Sequence, residues 1–227
     1  MSAAENTGFL YPFIEGDEHD VDSLLADLAS SARLKARESA ALQQATLASS
    51  AEQIDAAGAA MAERFASGGR MYTFGNGGSS TDAATFASLF AQPIAGRPLP
   101  ALNLAADQAV VTALGNDVGF DLVFSRQIIA HASDRDIAVA MSTSGNSADL
   151  MRGLTEASQR GLLTIGFAGY DGGQMAASPE VGFCFVVPSQ SVHRIQESQA
   201  MLGCRLWTTV QRHLSTSRTR QEKHHDN

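Results

Sequence analysis

Two short runs of glycine, serine and asparagine hold the densest hydrogen-bonding chemistry of this chain. The first is Gly75-Asn76-Gly77-Gly78-Ser79-Ser80, behind Arg70-Met71-Tyr72-Thr73-Phe74. The second is Ser142-Thr143-Ser144-Gly145-Asn146-Ser147, behind Asp136-Ile137-Ala138-Val139-Ala140-Met141. Each follows an apolar strand pattern and leads into a helix pattern. A strand, a small-residue loop and a helix start make an anion site, because free backbone N–H groups point outward and the helix dipole favours negative charge. Hydroxyls beside those amides add neutral donors. Ser142, Thr143, Ser144 and Ser147 crowd hydroxyls directly after a buried strand, which is costly unless they meet partners. Ser147 also suits the N-cap of the helix carrying Leu150, Leu154 and Ala157. Two such loops predict a pocket for a phosphorylated polyol. A dinucleotide fingerprint fits less well, since its third glycine would fall at Ser80 and no acidic residue closes the following strand.

The elements around these loops alternate. Strand patterns occupy 70–75, 100–105, 137–142, 162–168 and 181–187, with helix patterns over 79–92, 107–114, 118–132, 147–160, 171–177 and 190–214. Short apolar strands alternating with helices predict a parallel sheet covered on both faces. Ahead of the first strand, Asp20 can cap a helix starting near Val21 with Leu24, Leu25 and Leu28 on one face. An Ala-rich helical pattern continues, with breaks, from Arg33 to Phe65 and stops at Ser67-Gly68-Gly69. Residues 1–19 read as a flexible arm with an apolar patch, Phe9-Leu10-Tyr11-Pro12-Phe13-Ile14, suited to a neighbouring subunit or another protein. Residues 20–214 read as one domain with a helical N-terminal extension, and 215–227 as a disordered tail. Ile195, Leu202, Leu206, Val210 and Leu214 form an apolar stripe on the last helix, core or subunit seam.

With 227 residues, 44% hydrophobic and 18% charged, the chain suits one α/β domain with a complete core. A net charge of −8 argues against a broad nucleic-acid surface. Cys184 and Cys204 stand apart, without metal-finger spacing, and fit a reduced cytoplasmic compartment. No apolar run of about 18 residues marks a membrane span.

The chain resembles the sugar isomerase (SIS) domain family, in its phosphoheptose isomerase and DiaA branch. The resemblance rests on Gly75-Asn76-Gly77-Gly78-Ser79 with Asp82, Gly115-Asn116-Asp117 with Gly119-Phe120, Phe124-Ser125-Arg126, Ser142 to Ser147, Gly169 with Asp171-Gly172-Gly173, and Arg194-Ile195-Gln196-Glu197. It implies a three-layer αβα fold with a five-stranded parallel sheet, and a homotetramer with sites at subunit interfaces. It implies phosphate held by Ser142, Ser144 and Ser147, with Thr143 and Gly77 in the same loops, and sugar hydroxyls met by Asn76, Ser79, Asp117 and Gln196.

The positions that carry catalysis in that family depart from its pattern. An aldose–ketose isomerase moves a carbon-bound proton through an enediol, which needs a base and often a zinc ion near the carbonyl. Where the family places His, Glu and His, this chain has Thr85, Leu89 and Cys204. Leucine neither takes a proton nor binds metal, and Gln196 with Cys204 makes a poor zinc site. No metal and no cofactor is therefore expected. His193 and Glu197 are the substitute acid–base candidates, against bland roles as a surface residue and an arginine partner, and Cys204 reads as a small packing residue. The expected function is a phosphosugar sensor or a protein-binding scaffold like DiaA, which binds a replication initiator. The alternative is an active sedoheptulose 7-phosphate-type isomerase with a non-standard base.

Overall fold

The computed structural model describes residues 21–225, with side chains through residue 216. The expected arm at 1–19 and the capping role of Asp20 lie outside the described residues. The chain divides into two compact units, Met1–Ala40 and Ala41–Asn227. Helix α1 (Val21–Ser49) begins in the first unit. In that unit Leu24, Leu25, Leu28 and Leu34 are all exposed. Every strand and both glycine–serine loops belong to the second.

The second unit continues with α2 (Ala51–Ala66), β1 (Met71–Gly75), α3 (Gly78–Ala91), β2 (Ala101–Asn103) and α4 (Gln108–Asp117). A 3-10 turn (Phe120–Leu122) leads into α5 (Val123–His131), β3 (Ile137–Met141), α6 (Ala148–Gln159), β4 (Leu163–Gly169), α7 (Gly173–Ala177), β5 (Phe183–Val187) and α8 (Val192–His225). The five strands form one parallel sheet in the order β2-β1-β3-β4-β5. The expected α/β three-layer architecture is the one observed.

Alternation along the strands explains the layers. Met71, Ile137, Val139, Met141, Ile165 and Phe167 join a core with Ile54, Met61 and Phe65 of α2, Phe86 and Phe90 of α3, and Ile195, Leu202, Leu206 and Val210 of α8. Their neighbours Tyr72, Phe74, Ala138, Ala140 and Ala168 face Val123, Phe124 and Ile128 of α5 and Leu150 and Leu154 of α6. The stripe on the last helix is therefore core. Close approach is built in at two glycines: a Cβ on Gly58 would lie 2.5 Å from Thr209 of α8, and one on Gly203 would lie 3.0 Å from the Phe86 ring.

Three boundaries differ from the sequence reading. The Ala-rich region has one break, at Ser50, and its first helix is continuous from Val21 to Ser49. The helix expected over 118–132 starts only at Val123, because Gly119, with φ of 107°, sets off a 3-10 turn at Phe120–Leu122 first. The last helix does not end at Leu214 but runs to His225, because Ser, Thr, Arg, Gln and Lys tolerate helix where no proline or glycine intervenes.

Candidate functional site

In a sheet ordered 2-1-3-4-5, the connections after β1 and β3 leave in opposite directions. Crevices open beyond the carboxyl ends of strands at such a point. Both glycine–serine loops lie there, on adjacent strands paired through Gly75 and Met141.

The β1 loop is shaped by glycine. A Cβ on Gly75 would lie 2.5 Å from the Ser79 carbonyl oxygen and 2.8 Å from that of Met141. Gly77 has φ of 54° and serves as the N-cap of α3 with no side chain to satisfy the first amides. Ser79 is buried inside the first turn. Asn76 is half-buried, and its Nδ2 donates to both oxygens of Asp149, at 2.8 and 3.1 Å. Asp149 is only 5% exposed and sits in the first turn of α6, so this pair ties the β1 loop to the helix that follows the β3 loop.

The β3 loop is held from three directions. The Gly145 amide donates to the Ser142 hydroxyl oxygen at 3.0 Å, and the Asn146 amide to that of Ser144 at 3.3 Å. From α8, the buried Gln199 donates Nε2 to the Ser142 carbonyl at 2.7 Å. From the β4–α7 side, Gly169 N–H reaches the Thr143 carbonyl and Met175 N–H the Gly145 carbonyl, each at 2.9 Å. Gly145 has φ of 66° and a Cβ there would lie 2.1 Å from the Gly172 carbonyl oxygen, so no other residue fits. Thr143 and Ser144 are half-buried. Ser147 stands at the N-cap of α6 as expected, but its side chain makes no capping hydrogen bond. Its hydroxyl is left for another acceptor.

Gln196 lies over the start of α3. Its Nε2 donates to Asp82 Oδ2 at 2.7 Å and would be 2.6 Å from a Cβ on Gly78. Asn76, Gly77, Ser79 and Gln196 thus surround one helix start, and Asp149 joins them to the Ser142–Ser147 loop. The remaining candidates are exposed. Asp117 is exposed at the end of α4, where Asn116 Nδ2 donates to it at 2.8 Å. His193 and Glu197 are exposed on the first turns of α8.

The departing positions keep their departures in three dimensions. Leu89 packs against the core of α2, α3 and α8. Thr85 is exposed and its hydroxyl donates back to the Thr81 carbonyl at 2.9 Å. Cys204 is exposed, which corrects its reading as a packing residue: Gly203 next to it takes the close contact with Phe86, and Cys204 is turned outward. A zinc ion does not fit this donor set. It offers one thiol, one amide oxygen and a hydroxyl already bonded to its own helix, with an aliphatic side chain at the fourth position. Among the described residues no group of three or more His, Cys, Asp or Glu side chains is placed to hold a metal.

Asp149 and Gln199 are the site residues that sequence reasoning did not single out. Asp149 carries a faint signal, an acid in the first turn of a helix, but its burial against Asn76 depends on strand order. Gln199 interrupts the apolar stripe of α8 and is fully buried, a polar break whose partner lies across the fold.

The SIS domain family model matches residues 36–169. A phosphoheptose isomerase from Solidesulfovibrio magneticus is 40% identical over 179 residues, covering 78% of this chain and 86% of that protein. The phosphoheptose isomerase of Aquifex aeolicus is 40% identical over 169 residues, covering 74% of this chain and 87% of that one. The structure of phosphoheptose isomerase GmhA from Neisseria gonorrhoeae superimposes with a TM-score of 0.74 at 32% identity, over 81% of this chain and 98% of that one. On the match to the domain model, these relatives and the shared fold, the chain belongs to the SIS domain family, in its phosphoheptose isomerase branch.

Proposed function

We propose that this protein binds a phosphorylated sugar between the β1 and β3 loops and does not carry out the zinc-assisted isomerisation of its family. Without that chemistry, it acts as a phosphosugar sensor or as a scaffold for another protein, in the manner of DiaA. The observation that carries the reading is a braced phosphate-type loop in a chain that holds Thr85, Leu89 and Cys204 where the resemblance expects His, Glu and His. Phosphate is assigned to Ser142, Thr143, Ser144 and Ser147 and the start of α6. The sugar hydroxyls are assigned to Asn76, Ser79, Asp117 and Gln196. No metal and no cofactor takes part. The assembly is a homotetramer, and a protein partner is met through its surface or through residues 1–19. The names of the relatives support the phosphosugar half of the reading.

Calorimetric titration with sedoheptulose 7-phosphate tests that half. Saturable binding that weakens by about tenfold to a hundredfold in S147A is the expected result, the loss of one charge-assisted hydrogen bond. No binding to the wild-type protein would reject it. A pull-down of cytosolic proteins with and without residues 1–19 tests the scaffold role, and the clean absence of a stable partner counts against it.

One observation keeps a second reading alive. Relatives at 40% identity are named phosphoheptose isomerase, and His193 offers an exposed imidazole one turn before Gln196. Imidazole is a competent base near neutral pH. In that reading a confirmed turnover would fall in H193A, and an unchanged turnover would remove His193 from the mechanism.

A further inference from the structure

Two carboxamides of the site share a feature that the assignment of ligand contacts does not contain. Asn76 directs its NH2 group at the Asp149 carboxylate, and Gln196 directs its own at Asp82. A carboxylate oxygen accepts hydrogen bonds, and an amide can face it only with nitrogen. Each amide is thereby locked in one of its two orientations, with its carbonyl oxygen on the opposite side. Among the described residues, neither Asn76 Oδ1 nor Gln196 Oε1 receives a hydrogen bond. Both side chains are half-buried, and neither oxygen is sealed from solvent. Both residues flank the Gly75–Ser79 loop, with Gln196 against Gly78.

We infer that Asp149 and Asp82 are positioning residues that set the polarity of the sugar end of the site, turning Asn76 and Gln196 into two fixed acceptors. The inference rests on the phosphosugar reading and makes it more specific. Amide protons at the start of α6 serve the phosphate. The two carbonyl oxygens then select a ligand carrying hydroxyl donors, and they disfavour one that offers only ether or carbonyl oxygens there. An acceptor left facing an acceptor is unpaired, which costs more than a missing contact. Asp149 carries a second consequence. Buried in the first turn of α6, its carboxylate accepts from Asn76 with both oxygens, which holds the amide from the side of the neighbouring helix.

The test compares two probes, sorbitol 6-phosphate and hexyl phosphate, which share a phosphate and a six-carbon chain but differ in hydroxyls. The wild-type protein should bind sorbitol 6-phosphate at least about tenfold more tightly, since each well-made hydrogen bond contributes about threefold to tenfold. In D149N the introduced amide can donate to Asn76, so Asn76 is free to turn its NH2 toward the ligand. In D82N the same holds for Gln196. Each substitution should cut the sorbitol 6-phosphate advantage by about threefold to tenfold. The ratio of the two affinities is the readout, because general damage to the fold weakens both probes alike. An unchanged ratio in both variants overturns the inference, as does a wild-type protein that binds both probes equally. Failure of the wild-type protein to bind either probe instead defeats the phosphosugar reading itself. If D149N does not fold, D82N and the wild-type preference decide, because Asp82 is on a different helix and is half-buried.

Discussion

Ser147 occupies the N-cap of α6 without using its hydroxyl there. Ordinary N-cap serines lose about 1 kcal/mol on truncation to alanine. Here S147A should lower stability by less than about 0.5 kcal/mol in urea denaturation, while weakening sugar-phosphate binding as stated above. A large stability loss would mean that the hydroxyl caps after all. The two cysteines make a second contrast. Burial pushes the Cys184 thiol up to about 11 from its ordinary 9.0, whereas Cys204 is exposed. Iodoacetamide at pH 8 should therefore label Cys204 first and Cys184 slowly, as read by peptide mass spectrometry. Because the folded state raises the Cys184 value, its neutral thiol contributes stability that is fully present below pH 9 and is lost as pH rises through about 11. The alkaline limb of unfolding should be shallower in C184A. Restoring family chemistry at the residue level makes a third expectation. T85H/L89E/C204H together with the native Gln196 should bind zinc with an affinity the wild-type protein lacks. Leu89→Glu itself should cost about 1–3 kcal/mol through its contact with the core. Failure of the triple variant to take up metal would show that these positions do not converge.

Helices α3, α6 and α8 and the β4–α7 connection hold the β1 and β3 loops in place. Gly145 tests the loop that α8 and the β4–α7 connection brace. Its left-handed φ and the 2.1 Å approach of a Cβ to the Gly172 carbonyl predict that G145A distorts the loop and abolishes sugar-phosphate binding. G203V, which would drive a side chain into Phe86, should lower stability by about 1–3 kcal/mol while leaving the loop sequence untouched. Much of this level was legible in the sequence. The strands are short apolar runs that alternate with helix patterns, and the two loops announce themselves by glycine and hydroxyl content. The missing parts have physical causes. Gly119 delays to Val123 a helix start that apolar spacing alone places at 118. The polar end of α8 carries no stop residue, so its extent depends on helix propagation and not on an apolar stripe. The pairs Asn76–Asp149, Gln196–Asp82 and Gln199–Ser142 join residues far apart in sequence, and periodicity holds no trace of them. The outward turn of Cys204 has a related cause, since the adjacent Gly203 makes the contact that an apolar helix face predicts for the thiol.

At the scale of the whole molecule, the first unit presents exposed apolar side chains. Leu24, Leu25 and Leu28 are 41%, 57% and 57% exposed on one stretch of α1, an apolar cluster of the kind that marks a protein contact. If the proposed homotetramer uses it, L24S/L25S/L28S should lower the mass measured by light scattering, and an unchanged mass would place the contact elsewhere. No helix among the described residues is long and apolar enough to cross a membrane. At this scale the central claim is that the family's ligand site persists while its proton-transfer chemistry does not. NMR of the purified protein with sedoheptulose 7-phosphate in D₂O, with and without added Zn²⁺, addresses that claim most directly. Broadened ligand resonances, with no aldose signals and no deuterium beside the carbonyl under either condition, are the expected result. Deuterium incorporation or new aldose signals would contradict it, by proving a working proton-transfer group despite Leu89.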